Sequence, residues 1–143
     1  MLTKPYIFLC CMFIGNITVA ENFEVKMLNR GLSGSMVFEP NFLKVNVGDI
    51  IYFKSTDKGH NVESIKGMLP IGVQKFKSKI SDDFVFTVPK EGLYGIKCTP
   101  HYMMGMVGLI QAGSASNFED SARVKHRGKA KKRFKKIFNQ ISQ

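Results

Sequence analysis

Cysteine is scarce in this chain: there are three in 143 residues, and Cys10 and Cys11 fall in an apolar N-terminal stretch. That stretch reads as a secretory leader. Lys4 gives a short positive start, residues 6–14 are apolar and uncharged, and Thr18-Val19-Ala20 places small residues where a signal peptidase reads them. Cleavage after Ala20 is expected. The apolar run is well short of the roughly 20 residues a membrane span needs, which argues against an anchor. The mature chain then holds one cysteine, Cys98, so no internal disulfide can form despite an oxidising destination. A lone thiol there is open to oxidation and mispairing. Metal ligation is one way to protect it. Acidic residues are also few, 11 against 21 Lys and Arg, and the imbalance is uneven. Residues 117–143 carry +7 of the net +10, while residues 21–116 are only mildly basic.

Helical periodicity is missing from most of residues 21–112, and there are no internal repeats. The grain is β. Residues 23–28 and 43–47 alternate apolar and polar, residues 50–54, 84–88, 92–97 and 106–112 are strand-like, and residues 36–38 form a short apolar piece before Pro40. Gly48-Asp49 is a tight-turn signal. Gly67, Pro70 and Gly72 make residues 66–79 a loop. Seven or eight short strands in about 90 residues imply an all-β, antiparallel Greek-key sandwich with a modest core. Three parts are expected: a leader over residues 1–20, a β domain over 21–116 and a basic helical extension over 117–143. In the extension, Ser116-Asn117-Phe118-Glu119 has the form of a capping box and predicts a short helix to about Lys125. Ala130, Phe134, Ile137 and Phe138 then share one helical face, with Lys131, Lys132, Arg133, Lys135 and Lys136 opposite.

The chemistry is concentrated in Cys98-Thr99-Pro100-His101-Tyr102-Met103-Met104-Gly105-Met106. A second histidine, His60, lies upstream in Gly59-His60-Asn61-Val62. One Cys and two His can form a trigonal plane around copper, with a Met thioether as a weak, long axial ligand. Thiolate is soft and suits Cu(I), while imidazole suits both oxidation states, so such a site reorganises little on electron transfer. That points to outer-sphere electron transfer, not bond-making. Any of Met103, Met104 or Met106 can reach the axial position as far as spacing goes. No general base stands beside the set, so an enzyme is not expected. A buried free Cys with two core histidines would leave Gly59 and the Pro100 turn as coincidences. Copper storage or delivery in the periplasm is the alternative function, and it wants an exchangeable site. A structural zinc is disfavoured because Met is a poor zinc ligand.

Several blocks resemble the pseudoazurins, blue copper proteins of the cupredoxin family: Met27-Leu28-Asn29, Met36-Val37-Phe38-Glu39-Pro40, residues 56–63, residues 76–80 and residues 97–102. The resemblance covers residues 21 to about 125. It implies a cupredoxin-like sandwich ending in two packed helices, and one type 1 copper ion held by His60, Cys98, His101 and Met106. It implies a monomeric periplasmic electron shuttle, taking electrons from a cytochrome-type donor and giving them to a copper nitrite reductase or similar acceptor. It further implies that the Asn61 N–H donates to the Cys98 sulfur, that Met36 lies beside the site, and that Lys58, Lys77 and Lys97 belong to a lysine ring that steers acidic partners. Met68, Leu69, Pro70 and Ile71, with Pro100, Tyr102 and Met103, are expected to ring the exposed imidazole edge. Met103 departs from the family pattern, where glycine is usual. The basic tail is expected to be a solvated helix face, with contact to an anionic membrane surface as the alternative; nothing suggests nucleic-acid binding.

Overall fold

Alternation in the first strand sets the layout: Val25 and Met27 turn inward and are fully buried, while Glu24 and Lys26 face water. The structure, a computed structural model, describes residues 19–141. The expected leader lies outside the described residues except for Val19 and Ala20. Eight strands follow in order: β1 (Asn22–Gly31), β2 (Gly34–Glu39), β3 (Phe42–Val45), β4 (Ile50–Lys54), β5 (Glu63–Ser64), β6 (Phe84–Thr87), β7 (Gly92–Lys97) and β8 (Val107–Ala112). Two α-helices complete the described residues, α1 (Phe118–Arg123) and α2 (Gly128–Phe138).

The strands form two four-stranded sheets, β2-β1-β4-β6 and β3-β8-β7-β5. The all-β sandwich with C-terminal helices is therefore as expected, but the sheets are not wholly antiparallel. β1 pairs parallel with β4, and β3 pairs parallel with β8. The cause is a change of sheet: β3 crosses to the second sheet, and β4 returns beside β1 in the same direction. A parallel neighbour requires such a crossover, and side-chain alternation does not encode it.

Between the sheets lie Val25, Met27, Phe38, Ile51, Phe53, Tyr94, Ile96 and Ile110, in one apolar cluster that also contains Cys98 and Met106. Strands β7 and β8 are buried on both faces. Their outer face, Leu93, Val107 and Leu109, packs with Ile65, Met68 and the Ala130, Phe134 and Ile137 stripe of α2. That stripe is the apolar face expected from the sequence; Phe138 is half-buried. Burying a residue such as Phe134 contributes about 1.5–3 kcal/mol, so α2 is part of the core and not an appendage.

The first helix differs from expectation. It ends at Arg123, and its N-cap is Asn117, with no side-chain cap bond. The Asn117 amide serves the sheet instead: Oδ1 accepts from Leu93 N–H at 2.7 Å, and Nδ2 donates to Leu93 C=O at 3.0 Å. A buried amide with both partners satisfied outweighs a local cap, because unmade buried bonds cost more than an exposed helix end does.

Candidate metal centre

His60 enters the site from a loop fixed on both sides. Gly59 takes φ +90, a conformation open to glycine at little cost. Its N–H donates to Ser81 Oγ at 2.9 Å, and Ser81 N–H donates to the His60 carbonyl at 2.8 Å. The His60 ring is oriented by Asn29 on β1, whose Oδ1 lies 2.8 Å from Nε2. A side-chain carbonyl only accepts, so Nε2 carries the proton and Nδ1 presents a lone pair inward. Asp57 in turn accepts from the Asn29 backbone N–H at 2.7 Å.

Cys98 and His101 come from the loop between β7 and β8. Cys98 N–H donates to the Met106 carbonyl at 2.9 Å, and Met106 N–H donates to the His101 carbonyl at 3.1 Å. A 3-10 turn, Tyr102–Met104, ends at Gly105 with φ +92. The loop is thus a tight closed ring in which Cys98, His101 and Met106 are neighbours through the backbone. Met106 is fully buried, whereas Met103 and Met104 are 55% and 45% exposed.

The structure brings His60, Cys98 and His101 together as three converging donors, within 4.8 Å of one another. His60 Nδ1 and His101 Nδ1 are 3.0 Å apart, and Cys98 Sγ lies 3.5 Å from His101 Nδ1 and 3.8 Å from His60 Nδ1. Edges of that length suit donors about 2.0–2.3 Å from one common centre. His60 and Cys98 are buried; His101 is half-buried.

The electrostatics fit a soft cation. Burial lowers the His60 pKa from the usual histidine value, and His101 lowers it further, against a small opposing effect of Asp57. Both keep the imidazole neutral, which is its ligating form. Burial pushes the Cys98 thiol up, while the backbone N–H groups of Asn61 and His101 pull it part of the way back. The Asn61 donor is the one the resemblance implies. The His101 N–H is a second donor that sequence reasoning missed, since Pro100 itself has no N–H to give. A metal ion that binds the sulfur displaces the thiol proton, which offsets the cost of burying the charge. One thiolate with two imidazoles suits copper.

The surroundings correct one expectation. Met68 and Pro70 do not ring the imidazole. Met68 packs on Gly95 and its carbonyl accepts from Gly95 N–H at 2.8 Å, in the middle of β7, and Pro70 abuts Gly92 at that strand's start. Gly92 is six residues before Cys98, about 20 Å along a strand. Around His101 the rim consists of exposed Pro100 and Met103 and half-buried Tyr102. Two of the three lysines expected to form a ring share one carboxylate: Glu63 Oε2 lies 3.4 Å from Lys77 and 3.8 Å from Lys97. Lys58 stays exposed, near Asp83, which pairs with Lys54.

Sequence reasoning also passed over His126. The Tyr102 hydroxyl lies 2.8 Å from its Nδ1, and its ring stacks on Phe134 at 4.1 Å. The residue after His101 is thereby tied to the helices.

Comparison with known proteins agrees with this geometry. Residues 25–113 match the profile described as copper binding proteins, plastocyanin/azurin family. The chain belongs to that family. Among its relatives, a pseudoazurin of Paracoccus pantotrophus is 57% identical over 104 residues, spanning 73% of this chain and 72% of that protein. A pseudoazurin of Methylorubrum extorquens is 47% identical over 123 residues, 85% of this chain and 83% of that one. The solved pseudoazurin structure from Methylobacterium extorquens AM1 superposes with a TM-score of 0.82 at 46% identity, covering 85% of this chain and 99% of that chain. That from Hyphomicrobium denitrificans gives 0.82 at 43% identity, covering 85% and 99%. As a plastocyanin/azurin family member similar to the pseudoazurins, the chain is a copper electron-transfer protein.

Proposed function

We propose that His60 Nδ1, His101 Nδ1, the Cys98 thiolate and the Met106 thioether hold the copper, and that the protein is a periplasmic shuttle delivering single electrons to a reductase. When bound, copper supplies the one-electron chemistry by alternating between Cu(I) and Cu(II). The chain's own residues do the rest. His60 and Cys98 are sealed from water, and Asn29, Asn61 and the loop backbone fix their directions in advance. Such preorganisation keeps the donors in place whichever charge the centre carries. The single observation behind this reading is the convergence of three metal-ligating atoms, of which His101 alone belongs to a side chain open to solvent. Electrons enter and leave at that imidazole edge. Met106 is assigned as fourth ligand because it is buried in the cluster of Cys98, while Met103 and Met104 face water.

The acceptor we favour is a copper nitrite reductase, with a cytochrome-type donor; the exposed lysines near the site, Lys58, Lys77 and Lys79, suit an acidic docking surface. The test is stopped-flow mixing of reduced, copper-loaded protein with copper nitrite reductase and nitrite. Reoxidation faster than without the reductase, slowing as salt is added, is the expected result. Reoxidation no faster with the reductase present would refute the assignment of the acceptor. Cell fractionation with N-terminal sequencing tests the location; a periplasmic product beginning at Glu21 is expected, and a cytoplasmic one would refute it.

A further inference from the structure

We infer that Arg133, on the C-terminal helix, is a positioning residue for Met106: its guanidinium fixes the peptide unit from which the Met106 side chain departs. The inference rests on Met106 being the fourth ligand.

Arg133 stands out from the other cations of α2. Lys129, Lys131, Lys132, Lys135 and Lys136 are exposed, but Arg133 is half-buried and turned back toward the loop. Its Nη1 donates to the Gly105 carbonyl at 2.5 Å and to the Met36 carbonyl at 2.8 Å; Nη2 donates to the Ser35 carbonyl at 3.4 Å. Bonds from a charged donor are about twice as strong as neutral ones.

The Gly105 carbonyl belongs to the peptide unit whose N–H is that of Met106. That N–H donates to the His101 carbonyl at 3.1 Å, so both polar ends of the unit are held. The next peptide is held as well, since the Met106 carbonyl accepts from Cys98 N–H at 2.9 Å. With the two peptide planes flanking its Cα fixed, the Met106 Cα–Cβ direction is fixed. The Gly105 carbonyl also accepts from Val107 N–H, at the start of β8, at 2.9 Å. Of these constraints Arg133 alone is a side chain.

The second bond from Nη1 matters too. Met36 has φ +53, a left-handed conformation uncommon for a residue with a side chain. Its carbonyl is stabilised by the same nitrogen that holds Gly105. Arg133 therefore joins β2 of one sheet to the loop leading into β8 of the other, at the end of the sandwich where the donors converge. Space is already taken on this side: a Cβ at Gly105 would lie 3.1 Å from Lys129 Cβ and 3.4 Å from Arg133 Cζ. Lysine at position 133 could keep the charge but lacks the planar guanidinium's fixed donor directions and its third bond to Ser35.

The test compares the full chain carrying Arg133→Met, Arg133→Lys or Met106→Leu with the unaltered protein, each loaded with Cu(II), by visible absorption, EPR and chelator competition. Copper affinity in Arg133→Met is expected to fall about 10- to 100-fold, the usual cost of removing a ligand's support. The ratio of its two thiolate charge-transfer bands should move toward that of Met106→Leu, with Arg133→Lys in between. Amide exchange at Met106 in the metal-free protein should be faster in both Arg133 variants. If Arg133→Met does not fold, Arg133→Lys carries the same readouts. An Arg133 variant that is merely less heat-stable, with unaltered band ratio, affinity and Met106 exchange, would overturn the inference. Two other results would overturn it through the ligand assignment and are separable from that one: no thiolate band in the unaltered protein, or a Met106→Leu spectrum identical to it.

Discussion

Asn61 and Thr99 clasp each other at two points. Thr99 N–H donates to Asn61 Oδ1 at 2.8 Å, and Asn61 Nδ2 donates to Thr99 Oγ1 at 3.0 Å. Each follows a proposed ligand, His60 or Cys98, so the clasp joins the two loops whose donors converge. Asn61 is fully buried, and Leu at this position would leave the Thr99 N–H without its acceptor. Asn61→Leu is expected to lower the stability of the metal-free protein by about 1–3 kcal/mol in urea unfolding. A change within the fitting error would show that the clasp is incidental.

Asn29 acts on the site differently. It is exposed, and its Oδ1 sets the proton on His60 Nε2. Asn29→Ala should leave unfolding little changed and weaken copper binding about 10- to 100-fold, measured by competition with a chelator. Equal affinities would mean that burial alone orients His60.

Acid should loosen the grip of the helices. His126 is held below the ordinary histidine pKa of 6.5 by burial, and its Nε2 has no hydrogen-bond partner. The folded value lies under the unfolded one, so between the two the unfolded chain binds more protons. Stability tied to His126 is thus fully present above about 6.5 and is lost as pH falls through the folded value. The melting temperature of the metal-free protein should drop between pH 7 and pH 5, and less so in His126→Gln, which retains His60. Parallel profiles for the two proteins would exclude His126 as a contributor.

Glu63 holds down the positive field near the site. Burial alone would raise its pKa, but the Thr99 hydroxyl, Lys97 and Lys77 together bring it below the usual carboxylate value, so it is ionised at neutral pH. Glu63→Gln removes a negative charge shared by Lys77 and Lys97. Oxidation of the reduced protein by the anionic reagent ferricyanide should then be faster at low salt and fall more steeply with ionic strength. Identical salt profiles would show that these lysines do not steer.

The legible parts of the molecule were those written in local pattern. Val25 and Met27, then Ile51 and Phe53, show the period of two that makes a strand, and Ala130, Phe134 and Ile137 show the helical face. His60, Cys98 and His101 were legible because their residue types are costly to leave unused at that spacing. What local pattern does not carry is which distant backbone a side chain will meet. The parallel pairing of β1 with β4 was invisible for this reason, as was the placing of Met68 and Pro70 along β7, away from Cys98. Asn117 looked like a neighbour in a capping box, yet its amide is spent on Leu93. Arg133 reads as one more cation in a basic run; its one signal is its place beside Phe134, at the edge of the apolar face. His126 carried a weak signal, as the third histidine in the chain, and its partner Tyr102 lies 24 residues away.

The visible absorption and EPR spectra of the Cu(II)-loaded protein, recorded beside Cys98→Ser, test the proposed metal centre most directly. An intense thiolate-to-copper band in the unaltered protein, absent from Cys98→Ser, is the predicted result for copper held by Cys98 with His60 and His101. A pale protein with ordinary tetragonal copper signals, the same in both, would contradict it.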